Sequence, residues 1–117
     1  MIKSFQDLQA YKNSKALFPT IVETTQRFPR EGRYLREQMC RAANSIHANI
    51  AEGFGRSEAE FKKYLTTSLG SNNEMLSHLE DALLAGYIDK KKHDSLVDGY
   101  NTVGKQIFQL RAKWRVF

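Results

Sequence analysis

From Phe61 onward, Phe61, Leu65, Ser68, Asn72, Met75, Leu79 and Ala82 recur alternately four and three residues apart. A spacing that averages 3.5 residues keeps one row of side chains on a single stripe of an α-helix for about six turns, whereas a strand would scatter the same residues over both faces. The alternation returns in Leu96, Tyr100, Val103, Ile107, Leu110, Trp114 and Phe117. Two long stripes of this kind need facing stripes, which is the seam geometry of a left-handed helix bundle. The first stripe is polar in its middle, where Ser68, Gly70, Ser71, Asn72 and Asn73 interrupt it. A glycine inside a helix costs roughly 1 kcal/mol relative to alanine, so close packing is the expected reason for Gly70.

The two facing helices come from the N-terminal half. Leu35, Met39, Ala42, Ala43, Ile46, Ile50 and Gly53 share one apolar stripe at helical spacing, and Gly53 is expected to end that helix. Beside the stripe runs a polar row, Gln38, Arg41, Ser45, Asn49 and Glu52. Two readings stand: an oligomer or inter-helix contact, in which buried polar groups need partners, or a solvated flank. Upstream, Ser4-Phe5-Gln6-Asp7 reads as a helix start. Leu8, Tyr11, Leu17, Phe18, Ile21, Val22 and Thr25 continue it to Phe28-Pro29, with a kink expected at Pro19. The second helix is expected from Arg30 to Gly53. Ser57-Glu58-Ala59-Glu60 is a capping box that opens the third helix, Gly86 stops it, and Asp89 caps the fourth.

The pattern predicts an all-α, antiparallel, up-down-up-down four-helix bundle, with helices of about 25 residues and ~37 Å. The 117 residues suffice for one domain over 1–117 and not for two independent cores. No apolar run approaches the ~20 residues that cross a bilayer, and no signal-like segment precedes the first helix, so a cytoplasmic protein without a membrane partner is expected. The single cysteine, Cys40, excludes an internal disulfide.

Enzymatic chemistry finds little footing. The carboxylate-bridged metal pair of helix bundles needs Glu-x-x-His motifs, and the chain contains none. His47 phases to the outward side of the second helix, and His93 sits between Lys92 and Asp94 at a helix start. Cys40 and His47 share that outer side but lie two turns apart, ~10 Å along the axis, too far for a nucleophile and its base. Cys40 therefore reads as a plain surface cysteine, and no metal or cofactor is expected. Gly53-x-Gly55 follows no strand, so it reads as a turn.

The formal net charge is +5, from 18 basic and 13 acidic residues. An antiparallel bundle would gather Arg27, Arg30, Arg33, Arg36 and Lys90, Lys91 and Lys92 at one end. Lys3, Arg56, Lys62, Lys63, Lys113 and Arg115 would gather at the other. Clustered cations bind phosphates by counterion release, so these ends are candidate nucleic-acid surfaces, the arginine-rich one first because arginine makes bidentate phosphate contacts; a solubilising surface is the alternative. No aromatic side chain is expected to interleave with these charges, so single-strand stacking is not indicated.

The run Gln38-Met39-Cys40-Arg41-Ala42-Ala43-Asn44-Ser45-Ile46-His47-Ala48-Asn49-Ile50-Ala51-Glu52-Gly53-Phe54-Gly55-Arg56 resembles the signature of the small bacterial four-helix-bundle proteins encoded in intervening sequences of 23S ribosomal RNA genes. Phe5-Gln6-Asp7-Leu8, Phe28-Pro29, Glu60-Phe61, Leu69-Gly70-Ser71, Glu74 and Ala85-Gly86-Tyr87-Ile88 are similar to further segments of that family. Gln38, Arg41, Ser45, Asn49 and Glu52 fall on signature positions, whereas Pro19 and Cys40 do not. The family in turn is similar to the accessory variability proteins of diversity-generating retroelements, basic pentamers that bind nucleic acid and a reverse transcriptase. The resemblance implies a homopentameric ring, no catalysis, and RNA or an RNA-protein complex, such as one with a reverse transcriptase, as partner. A purely structural oligomeric scaffold is the alternative.

Overall fold

The computed structural model describes residues 1–115, so the seam position assigned to Phe117 lies outside the described residues. The described chain is four helices: α1 (Gln9–Gln26), α2 (Arg33–Gly53), α3 (Glu58–Leu84) and α4 (Lys90–Lys113). Each packs against its neighbours in sequence, and α1 against α4 closes the bundle, which is 49 Å long. Phe28 meets Tyr87 at one end (ring centroids 5.1 Å apart), and Phe54 and Phe61 meet Trp114 at the other (5.9 and 4.9 Å). The connections therefore alternate ends, as an up-down-up-down bundle requires.

All seven seam residues of α3 are buried, as are Leu96, Tyr100, Val103 and Ile107 of α4. The polar seam positions donate across helices, although Asn72 Oδ1 is buried without a partner among the described residues. Ser68 Oγ donates to the Ile46 carbonyl (2.6 Å), and Asn72 Nδ2 donates to the Tyr100 carbonyl (2.9 Å). Burial pushes the Tyr100 phenol well above its ordinary pKa, so the ring stays neutral in the core.

Helix boundaries depart from expectation at both N-terminal starts. A 3-10 turn over Phe5–Asp7 precedes α1, and another over Arg30–Gly32 precedes α2. At the first, the Asp7 carboxylate accepts the Lys3 and Ser4 amides (2.7 and 3.0 Å), which hold it below the usual carboxylate range. At Ser57 the box is half formed: Glu60 N–H donates to Ser57 Oγ (3.2 Å), but the Glu60 carboxylate takes the Ser57 hydroxyl (3.0 Å) instead of a backbone amide. Helix α1 continues through the exposed Pro19.

Two glycines act differently from the sequence expectation. Gly53 is the last helical residue rather than a left-handed cap, and the positive φ of 87° belongs to Gly55. A Cβ at Gly53 would lie 2.5 Å from Tyr64 Cβ, so close approach of α2 to α3 is what demands glycine there. Gly70, expected to be the close contact, has nothing within 4 Å of a would-be Cβ.

Candidate nucleic-acid interface

The connection from α1 to α2 is held against the one from α3 to α4. Pro29 sets the chain into the Arg30–Gly32 turn, and Gly32 is buried with no room for a side chain, since a Cβ would lie 2.9 Å from Tyr87 Cε2. This junction brings Arg27, Arg30, Arg33 and Arg36 to the end of the bundle from which Lys90, Lys91 and Lys92 start α4; all seven are exposed. Arg27 and Lys92 line one shallow cleft of about 180 Å³, together with Glu23, Tyr87 and Asp89.

Local carboxylates engage part of this charge. Arg27 pairs with Glu23 (4.0 Å), Arg33 with Glu37 (3.2 Å) and Lys90 with Asp94 (3.0 Å). His93 Nδ1 lies 2.9 Å from Asp94, and these hydrogen bonds, from His93 first and Lys90 second, lower the Asp94 pKa. Arg30, Arg36, Lys91 and Lys92 form no ion pair among the described residues. At the opposite end Arg56 is drawn between Glu52 (3.6 Å) and Glu60 (3.7 Å), while Lys3, Lys62, Lys63, Lys113 and Arg115 form none among the described residues. Both ends thus keep unpaired cations.

The polar row of α2 divides. Ser45 and Asn49 are half-buried: Ser45 Oγ shares a hydrogen bond with Ser71 Oγ on α3 (2.8 Å), and Asn49 Nδ2 donates to the Ser45 carbonyl and hydroxyl (2.8 and 3.0 Å). Gln38 is half-buried, whereas Arg41 and Glu52 are exposed.

His47 is not outward. It is 3% exposed, its ring set edge-on to Tyr11 (6.0 Å) and Phe18 (5.7 Å) of α1. Cys40 is half-buried on the same side, 3.6 Å from Thr25 Oγ1, rather than a surface cysteine. The outward phase overlooked that an inner helix of a bundle faces two neighbours, so residues one step off its apolar stripe still meet α1. Burial, and next the Lys15 charge, lower the His47 pKa, so the ring is held neutral. Among the described residues, no three His, Cys, Asp or Glu side chains converge as a metal site, and no helix is long and apolar enough to cross a membrane.

One residue escaped the sequence reading. Phe108 is 56% exposed on α4, and the Arg111 guanidinium lies 5.5 Å from its ring centroid. An aromatic ring does interleave with basic charge, contrary to the expectation. The signal was Phe108 itself, one step off the seam and three residues from both Lys105 and Arg111.

The profile of the 23S rRNA-intervening sequence protein family matches residues 6–109. The fold is shared with a crystal structure of a protein of unknown function from the S23 ribosomal protein family of Bacteroides thetaiotaomicron. The TM-score is 0.82 at 23% identity, covering 89% of this chain and 96% of that one. No curated protein matches.

Proposed function

The chain belongs to the 23S rRNA-intervening sequence protein family, and from that membership and its charge layout we propose that it is a non-enzymatic, cytoplasmic RNA-binding protein that works as a homo-oligomeric ring. The observation that carries the reading is the rim formed by Arg27, Arg30, Arg33, Arg36 and Lys90 to Lys92, where four exposed cations lack a carboxylate partner among the described residues. Phosphates would replace the solvent counterions of those side chains, giving affinity without sequence preference. In a closed ring the rim is repeated around one face, so modest contacts become multivalent. RNA alone, or RNA already held by a protein such as a reverse transcriptase, satisfies this chemistry.

A scaffold without nucleic acid is the second reading. Tyr34 and Leu84, 74% and 80% exposed, lie towards the same end and favour protein contact there. Electrophoretic shift with a structured RNA at low and high salt separates the two. The RNA-binding reading expects a shift that weakens steeply with salt, and a salt slope that flattens by about two to three when Arg30, Arg33 and Arg36 are all replaced by glutamine. No shift at low salt leaves the scaffold.

A further inference from the structure

The outward face between α3 and α4 carries a groove of about 310 Å³ with a composition unlike the rims. Gly104 forms part of its wall, and a Cβ there would come within 2.9 Å of Asn72 Nδ2, so the buried Asn72 amide lies directly beneath. Leu69 and Leu76 supply apolar wall, Phe108 supplies the exposed ring, and the amides of Asn73, Asn101 and Gln109 edge it. Among the described residues Lys105 is its one charged lining residue, and no carboxylate lines it. The volume falls at the lower bound of roughly 300–1,000 Å³ typical of small-molecule sites.

The basic groups are placed rather than scattered. Arg111 Nη1 donates to Thr66 Oγ1 across the helices (3.2 Å), which orients the guanidinium beside the Phe108 ring. Thr66 Oγ1 in turn donates to the Lys62 carbonyl (2.9 Å), one turn nearer the end of the bundle. Lys105 lines the groove, and Arg111 and Lys62 lie beyond it, towards the end that also carries Lys113 and Arg115.

We propose that this groove binds an unpaired RNA segment, with a base stacked on Phe108, its polar edge towards the amides of Asn73, Asn101 and Gln109, and its phosphates towards Lys105 and Arg111. The proposal rests on the RNA-binding reading above and assigns a second surface, distinct from the arginine rim. Stacking needs only a π-face, so it is tolerant of sequence, and the combination of ring and cation track is what single-strand binders use. A protein segment would draw on the same charge. The three amides are the feature that favours bases, since each offers both a donor and an acceptor to a heterocycle edge.

Fluorescence anisotropy with labelled oligoadenosine of about ten nucleotides, a length within single-strand site sizes, tests the proposal on the whole chain. Phe108→Ala should weaken binding about ten-fold or more, and Phe108→Trp should retain it. Because Phe108 is exposed, neither variant should change the melting curve or the elution volume. Oligoadenosine binding that is unaffected by Phe108→Ala, or absent from the parent protein while structured RNA still shifts, overturns the groove and leaves the rim reading standing. Loss of structured-RNA binding in the Arg30, Arg33 and Arg36 variant, with oligoadenosine binding intact and dependent on Phe108, supports the groove as a site of its own. If Phe108→Ala changes the elution volume, the face is a contact between copies and the proposal falls.

Discussion

Along α3 two sides of one helix use the same small polar residue types to different ends. Towards α2, Gly53 faces the Tyr64 side chain with no room to spare, Ser68 donates to the Ile46 carbonyl, and Ser71 meets Ser45. On the outward side, Gly70 has open space around it, and the hydroxyls of Thr66 and Thr67 return to the Lys62 and Lys63 carbonyls of their own helix (2.9 and 3.2 Å), Thr66 Oγ1 also accepting from the exposed Arg111 (3.2 Å). Smallness is a structural requirement only where a neighbouring helix comes near, and a hydroxyl only where it has a buried partner on that helix. Elsewhere they are tolerated, or cost a little helix stability.

The closed side is where substitution should do most. Ile46 is fully buried, and its carbonyl is the acceptor for Ser68. Ile46→Asp places an unpaired carboxylate there at a cost of several kcal/mol, comparable with the ~5–15 kcal/mol that holds a small domain together. Loss of the cooperative thermal transition in circular dichroism is the expected result; an unchanged melt would mean that α2 does not face α3 through Ile46. Gly53→Ala should come next. The added Cβ, 2.5 Å from Tyr64 Cβ, must push α2 and α3 apart at a cost of about 1–3 kcal/mol, seen as a Tm lower by several degrees.

These two variants also mark what the sequence could and could not reveal. The repeat of α3 was fully legible, down to the buried Ser68 and Asn72, because a 3.5-residue spacing admits one phase only. Asp89 was legible as a cap, and its carboxylate accepts the Lys92 amide at 2.8 Å. What spacing cannot convey is which neighbour comes close. Gly53 and Gly70 are both helical glycines, and only the approach of Tyr64 tells them apart. The same gap hid His47, whose surroundings are set by Tyr11 and Phe18 on α1, distant in sequence. For the candidate surface, the rims followed from antiparallel connectivity, but ion pairing did not, since it depends on whether Glu23, Glu37 and Asp94 reach their cations.

The contact of α2 with α1 offers a milder test, through pH. His47 is buried against α1, and burial, then the Lys15 charge, lower the ring's pKa from its ordinary 6.5, opposed in part by the Ala43 backbone one turn back. A depressed pKa means that the unfolded chain takes up the proton first. The stabilisation is therefore complete above pH 6.5 and declines as pH falls below it, until the folded state also protonates. The charged groups near the ring are Lys15, which opposes protonation, and Glu52, which shares its surface hollow. Thermal melts from neutral to mildly acidic pH should show Tm falling for the parent chain and falling less for His47→Phe, which keeps the edge-on aromatic contacts. Equal slopes would mean that the imidazole is not buried against α1.

The smallest effect belongs to Gly70, and its sign carries the information. With nothing within 4 Å of its would-be Cβ, Gly70→Ala should gain helix propensity without a clash, worth up to ~1 kcal/mol and a Tm higher by a few degrees. That gain is expected of the single chain, whose outward α3 side is open. In the proposed ring, a neighbouring copy could cover that side, and the same methyl would then meet a surface that a lone bundle does not have. Melting Gly70→Ala and the parent protein over a range of concentrations separates the cases. A gain at every concentration leaves the outward side of α3 free. A gain on dilution that turns into a loss as chains associate puts Gly70 in the contact between copies, where the closed-side rule for glycine would apply to it as well.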